Sequence, residues 1–431
     1  MRKAILGLWV VGVLGVVGAL VGCTKDANRC TKDGDCGNVA YPFCDLAGEY
    51  PPSAGIAGVC IVKPANCPVD RCGCEPHASS CSGSALETCD ADGSATTTTD
   101  CSLGCAATGD RCNTFTPLNG LGAAMLAAAN EPDVTIPDMA TINTDTGMVR
   151  DAANLPVQIT SLLVPQAGAS DIRVFIGKSL TLSSVTVSGS RPVAFVARDD
   201  IRIEGLLDVS ATPGRPGAGQ QATGPCVGEG VARGGGGGNA TAGGVSEVDA
   251  PQNGPGIIAG GAALSGTALV GGCGGGGNLS GHGGGAVQLD SLTRITVAAS
   301  GRIGVGGAGG YDGGGGGSAG FVIIEAPQVE LLGGIFANGG AGGACTLVGQ
   351  DGPLSSSPAT APSCGTGNLA RNGGNGGSSS AGPGWGHAKF DNPVGGGGAA
   401  GRLLVTTVSD YTTSPGTIIS AAITTAALVP Q

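Results

Sequence analysis

Three stretches of this chain share one pattern that restricts its folding more than any other feature: a short β-branched strand, a polar turn, a second strand, a glycine corner and a third strand. Residues 194–211 (Ile201, Ile203, Gly205, Val209) can be laid beside 286–305 (Ile295, Val297, Gly301, Ile303) and beside 320–338 (Val329, Leu331, Gly334, Ala337). A partial fourth copy begins at Gly401 and runs through Val405. Three such strands cannot bury an apolar face alone, but stacked copies shield one another. The expected fold class is therefore all-β, a right-handed parallel β-helix-like solenoid spanning 133–431. An antiparallel β-sandwich or jelly roll is the alternative, because periodicity does not fix strand direction. Short strands are also expected at 134–136, 157–159, 172–176, 180–182 and 185–187.

A glycine-rich insert follows the third strand of each copy, at 211–285, 306–319 and 338–400. Insertions at one corner of a solenoid leave from one side, so the three should lie together. The chain holds 85 glycines but lacks the Gly-X-Y period of collagen, and 41% hydrophobic residues is too many for simple disorder. Ordering a glycine costs roughly 0.5 to 1 kcal/mol relative to alanine, so an ordered tract needs fastening. Cys226 and Cys273 fall in the first insert and Cys345 and Cys364 in the third, one disulfide candidate in each. Partly ordered layers of packed polyglycine helices are expected. These tracts resemble the glycine-rich tips of some phage adhesins and glycine-rich receptor ectodomains.

The N-terminus carries an address. Arg2 and Lys3 precede an apolar run from Ala4 to Ala19, closed by Leu20-Val21-Gly22-Cys23. The run is shorter than the ~20 residues of a membrane span. It resembles a bacterial lipobox, which implies a signal peptide at 1–22, lipidation of Cys23, and a Gram-negative outer-membrane or cell-surface location, since Thr24 replaces the Asp of many inner-membrane lipoproteins. The other sixteen cysteines are an even number in an exported chain and read as disulfides. Twelve crowd the module at 23–113: Cys30, Cys36, Cys44 and Cys60 as one unit, then Cys67, Cys72, Cys74, Cys81, Cys89, Cys101, Cys105 and Cys112. Zinc is the competing use of the close pairs Cys72/Cys74 and Cys101/Cys105, but no histidine stands at ligand spacing. The module resembles the cysteine-rich N-terminal regions of secreted myxobacterial-type lipoproteins. Residues 114–132 form a linker with one short alanine-rich helix ended by Glu131-Pro132.

A net charge of -11 argues against nucleic acid as a partner. Gly177-Lys178-Ser179 lacks the rest of a phosphate loop, and neither a Gly-x-Ser-x-Gly elbow nor a His-Glu-x-x-His motif is present. His77, His282 and His387 read as loop residues. Asp199 and Asp200, beside Arg198 and Arg202, are the best catalytic candidates, but adjacent strand residues face opposite ways. No cofactor or metal is expected. The functional expectation is a noncatalytic, structural, adhesive or ligand-binding surface protein. Its partners would be the membrane, through the lipid anchor, and an extracellular polymer or protein; a polysaccharide lyase or hydrolase is the alternative.

Overall fold

A computed structural model describes residues 29–32, 35–36, 41, 43–50, 55–62, 74–91, 93, 95–250, 254–365, 371–389 and 393–431. The leader 1–22, Cys23, Cys67 and Cys72 lie outside the described residues. The chain divides into two compact units, 1–101 with 107–111, and 102–106 with 112–431.

The first unit is held by sulfur. Cys30 bonds Cys44 and Cys36 bonds Cys60, so the first four cysteines close on themselves. Cys74 bonds Cys89 across a turn, and Cys81 and Cys101 are also in disulfides. Cys30, Cys44 and Cys60 form the buried cluster that leucines and valines would fill in a larger domain. Antiparallel pairs complete it: Phe43–Asp45 with Val59–Ile61, and the three-stranded sheet of Ser79–Ser82, Ala85–Cys89 and Thr96–Asp100.

The second unit is all-β apart from a short helix and one helical turn, and is built on three large sheets. Sheet A contains Thr160–Val164, Ile172–Gly177, Val193–Ala197, Ala286–Ser291, Phe321–Glu325, Arg402–Thr407 and Ala422–Ala427. Sheet B contains Val134–Ile136, Leu180–Leu182, Ile201–Ile203, Arg294–Val297, Gln328–Leu331 and Thr412–Thr413. Sheet C contains Met148–Arg150, Ala140–Asn143, Val185–Ser188, Leu206–Asp208, Arg302–Gly304, Gly334–Phe336 and Ile418–Ile419. Each successive triplet of strands gives one member to each sheet. Neighbours are parallel except at Met148–Arg150 and Thr160–Val164, so the antiparallel sandwich does not describe these sheets.

Register explains the core. Phe175, Phe195, Leu289, Ile324 and Val405 stand in one column, and Leu182, Ile203, Val297 and Leu331 in another, all within one cluster. The Phe175 and Phe195 rings stack at 5.7 Å between centroids. Residues 157–159 are not a strand; Val157 and Ile159 pack on the end of this core instead, and pairing resumes at Thr160. The inner strands of sheet A are buried on both faces: Val193–Ala197 is apolar throughout, whereas Ala286–Ser291 carries Gln288 and Asp290 on a buried outer face. Its outer face is covered by the helix Gly122–Ala128, whose Ala124, Met125 and Ala128, with Leu121 ahead of it, meet Ile172, Val174 and Ile176. Their spacing places these four on one helical side.

The glycine tracts pack against one another mainly by backbone, with the side chains of Ser318 and Asn239 adding hydrogen bonds between the first and second. Gly315 and Ser318 donate to Gly276 and Cys273 of the first tract, Gly316 and Ala319 to Gly396 and Ala399 of the third, and Gly317 and Gly320 to Ala308 and Val305 of their own outgoing limb. Gly395 and Gly398 likewise donate to Gly343 and Gly340. Each neighbour returns after three residues, the repeat of a polyglycine helix with three residues per turn. Only glycine fits: a Cβ on Gly315 would stand 2.0 Å from Gly235 O, on Gly316 2.1 Å from Gly340 O, and on Gly317 2.0 Å from His282 O. Cys226–Cys273 and Cys345–Cys364 staple the first and third tracts.

Candidate functional site

The tracts run out from the sheets, reverse and return, and their reversals lie side by side. Asn278 N–H donates to Val231 O at 2.8 Å, Tyr311 N–H donates to Leu279 O at 2.8 Å, and Tyr311 pairs with Val348 in an isolated bridge. Gly230 at φ 108° and Gly313 at φ 79° make reversals that a side chain would strain. Because the backbone fixes the turns, their larger side chains are left in solvent. Val231 is 73% exposed, Leu279 50% and Val348 53%, with Tyr311 and Leu347 also exposed. All three tracts thus contribute to one apolar strip.

Between the turns lies a cavity of about 380 Å³ lined by Ala232, Arg233, Asn278, Leu279, Asp312 and Pro393. It sets a guanidinium, a carboxylate and an amide around an apolar wall, the mixture from which pockets derive orientation as well as contact area. A five-stranded sheet, in the order Gly254–Ile258, Ser246–Ala250, Gly386–Lys389, Arg371–Asn372 and Ser363–Cys364, belongs to the same layers. The Cys345–Cys364 bond ties the 345–348 turn to it. Next to this sheet Trp385 is exposed, its ring centroid 6.1 Å from that of His387, whose Nδ1 lies 3.3 Å from Glu247 Oε2.

The acidic pair singled out in the sequence lies elsewhere. Asp199 and Asp200 occupy the turn between Val193–Ala197 and Ile201–Ile203. Asp200 accepts from Arg294 Nη2 at 3.1 Å and Thr293 Oγ1 at 2.7 Å in the following triplet; Asp199 faces Lys178 Nζ at 4.0 Å in the preceding one and Arg198 Nε at 3.8 Å. Each carboxylate ties its turn to a neighbouring turn. His282 sits in the glycine layers with its carbonyl accepting from Ala308 N–H, whereas His387 is in the distal sheet. Among the described residues, the groups of three potential metal ligands are all built on disulfide-bonded cysteines.

A second polar cluster, missed in the sequence, lies under the segment before the helix. Asp290 and Glu325 are register partners on the outer face of sheet A. Gln288 Nε2 donates to both Asp290 oxygens at 3.1 Å and to Glu325 Oε2 at 3.0 Å, while Leu118 N–H donates to Glu325 Oε2 at 2.8 Å. Burial, reinforced by the charge of Glu325, holds the Asp290 carboxyl well above the usual range; burial also raises Glu325, against the pull of the Leu118 N–H. The cluster fastens 118–119 to the sheet. Arg402 performs a similar service for the first tract: Nε donates to Asn239 Oδ1 at 2.9 Å, Nη1 to Gly266 O at 2.8 Å, and the guanidinium lies 4.0 Å from the Phe321 ring centroid. Burial pulls its pKa down to about 10.

No protein family model, curated protein or solved structure matches this chain.

Proposed function

We propose that this chain is a lipid-anchored, noncatalytic protein of the outer membrane or surface of a Gram-negative bacterium, whose second unit is a right-handed parallel β-helix bearing a polyglycine platform. The platform binds an extracellular polymer or protein at the strip formed by Val231, Leu279, Tyr311, Leu347 and Val348. The carrying observation is the convergence of exposed apolar side chains from three separate tracts on turns held by interlocked backbone. A fixed backbone gives up little conformational freedom on binding, so contact area is not offset by ordering. The disulfides of the first unit and of the glycine layers agree with an oxidising location. The ion pairing of Asp199 and Asp200 between successive turns favours a structural use of those carboxylates over a lyase or hydrolase.

The test is adsorption of the full chain to purified envelope polysaccharides and outer-membrane proteins, compared with a Val231→Asp/Leu279→Asp double variant. Both sites are on exposed turns, so the fold is expected to persist. Binding should weaken at least tenfold, about 1.4 kcal/mol; undiminished binding refutes the platform as the binding surface. Separately, Cys23→Ser should move the protein from the membrane fraction to the soluble fraction. Retention in the membrane refutes the anchor.

A further inference from the structure

The cavity between the reversals is walled by the turns that carry the apolar strip, and its polar side chains serve no contact within the fold. Arg233, Asn278 and Asp312 come from three successive reversals, and Ala232, Leu279 and Pro393 complete the wall. Backbone hydrogen bonds set the three polar residues in place. Gly234 N–H donates to Gly313 O at 3.0 Å, Asn278 N–H to Val231 O at 2.8 Å and Tyr311 N–H to Leu279 O at 2.8 Å. Arg233 and Asp312 are half-buried. Among the described residues, the side chains of Arg233, Asn278 and Asp312 nevertheless make no hydrogen bond or ion pair. Charges withdrawn from water are normally compensated by a protein partner, as Asp200 is by Arg294 and Asp208 by Arg215. Here that role is left to a ligand. A volume of about 380 Å³ lies at the small end of the ~300 to 1,000 Å³ range of ligand pockets and suits one ring-sized group.

We propose that this cavity holds one residue of a neutral glycan whose adjoining residues lie along the strip. The proposal rests on the platform's being the binding surface, and it narrows the ligand to uncharged carbohydrate. The hydrogen-bonding groups select that class first: Arg233 only donates, Asp312 only accepts and Asn278 does both, and neighbouring sugar hydroxyls, each a donor and an acceptor, satisfy all three. Charge selects it again. The opposite charges of Arg233 and Asp312 cancel over the cavity, so neither a polyanion nor a polycation gains a net attraction there, and a chain of net charge -11 opposes polyanions further. Leu279, Pro393 and the exposed Tyr311 then offer apolar surface to the C–H face of a sugar ring. A free amino acid also matches both charges, but it leaves the strip beyond Leu279 uncovered. A glycan presents hydroxyls and C–H faces along its whole length and so uses cavity and strip together.

The experiment measures binding of the full chain, in mild detergent, to immobilised neutral glucan, mannan and galactan oligosaccharides, with oligogalacturonate and tripeptides as the charged and peptide arms. Asp312→Asn keeps the side chain's size and suits the left-handed backbone at this position, φ 47°. Arg233→Gln removes the guanidinium. Both groups lack partners in the fold, so thermal midpoints should match the parent's. Val231→Asp/Val348→Asp alters the strip at two residues that do not line the cavity. The expected result is that a neutral oligosaccharide binds, that Asp312→Asn and Arg233→Gln each weaken it at least tenfold, and that the strip variant weakens long chains more than the disaccharide. Failure of every neutral oligosaccharide to bind, binding that withstands both cavity substitutions, or a preference for oligogalacturonate or tripeptides overturns the proposal. Weakening by the strip variant without weakening by the cavity variants leaves the platform standing and removes the cavity; binding that withstands all three variants removes both.

Discussion

Replacing Gly317 by alanine tests the close backbone packing most directly. The Gly317 N–H donates to Ala308 O, its carbonyl accepts from Gly340 N–H, and an added Cβ would stand 2.0 Å from His282 O. A carbon and a carbonyl oxygen approach to about 3.3 Å at the closest, so adjacent limbs must part by roughly 1.3 Å. That opening breaks two or three interlimb hydrogen bonds. Each is worth about 1 kcal/mol net, and more where a buried group is left unpaired, giving an expected loss of about 3 to 5 kcal/mol. For a unit of this size the thermal midpoint should fall by roughly 10 °C. Gly382→Ala is the control: its added Cβ meets nothing within 4 Å, so its effect should stay within about 1 kcal/mol of zero. Denaturant unfolding of parent and both variants decides the matter. Equal stability of Gly317→Ala and Gly382→Ala would refute the packing argument.

Removing the Cys226–Cys273 bond by paired serine substitution should cost about 4 kcal/mol and removing Cys345–Cys364 about 3 kcal/mol, because the first closes the longer loop; denaturant midpoints should rank them in that order. Asp290 keeps its proton in the fold at pH values where the unfolded chain has released it. Its favourable contribution is therefore complete below the ordinary carboxylate range near pH ~4 and is lost as pH rises through the raised value. Asp290→Asn needs no proton and should flatten the fall in unfolding free energy measured from acid to neutral pH. Arg402→Ala should release the Asn239 and Gly266 contacts and increase amide exchange around 239–266, while exchange in the Val193–Ala197 strand stays at its parent rate.

The triplet pattern was legible because its inward residues recur in all copies and have no other place to go. Its register was less so. Matching the starts of the copies sets Ala194 beside Ala286, yet the strands pair Ala194 with Gln288. The turn is not constant either: Val196, Asp290 and Glu325 are register partners, and so are Ile201, Ile295 and Val329, so the turn of the third copy is one residue shorter than that of the first two. Val157 and Ile159 have the alternation of a strand, but alternation serves equally for a segment laid over the end of a core. Glycine content pointed to ordered layers, whereas the apolar strip was not legible. Val231 and Leu279 are distant residues of the first tract, Tyr311 belongs to the second and Val348 to the third, and it is the hydrogen bonds within and between tracts that bring them together. Asp290 and Glu325 sit in apolar strands, a usable signal, but their burial depends on the covering 114–128 segment.

The threefold repeat of the glycine limbs imposes a rule on how this protein can change length. Adding or removing one or two residues inside a limb rotates everything beyond it towards the wrong neighbour, while a change of three restores the former directions one turn further along. Limbs should therefore lengthen or shorten in triplets, matched between the outgoing and returning chain. Within the reversals, Gly230 and Gly313 are held to glycine by their positive φ, while the neighbouring positions whose side chains stand in solvent are free to vary.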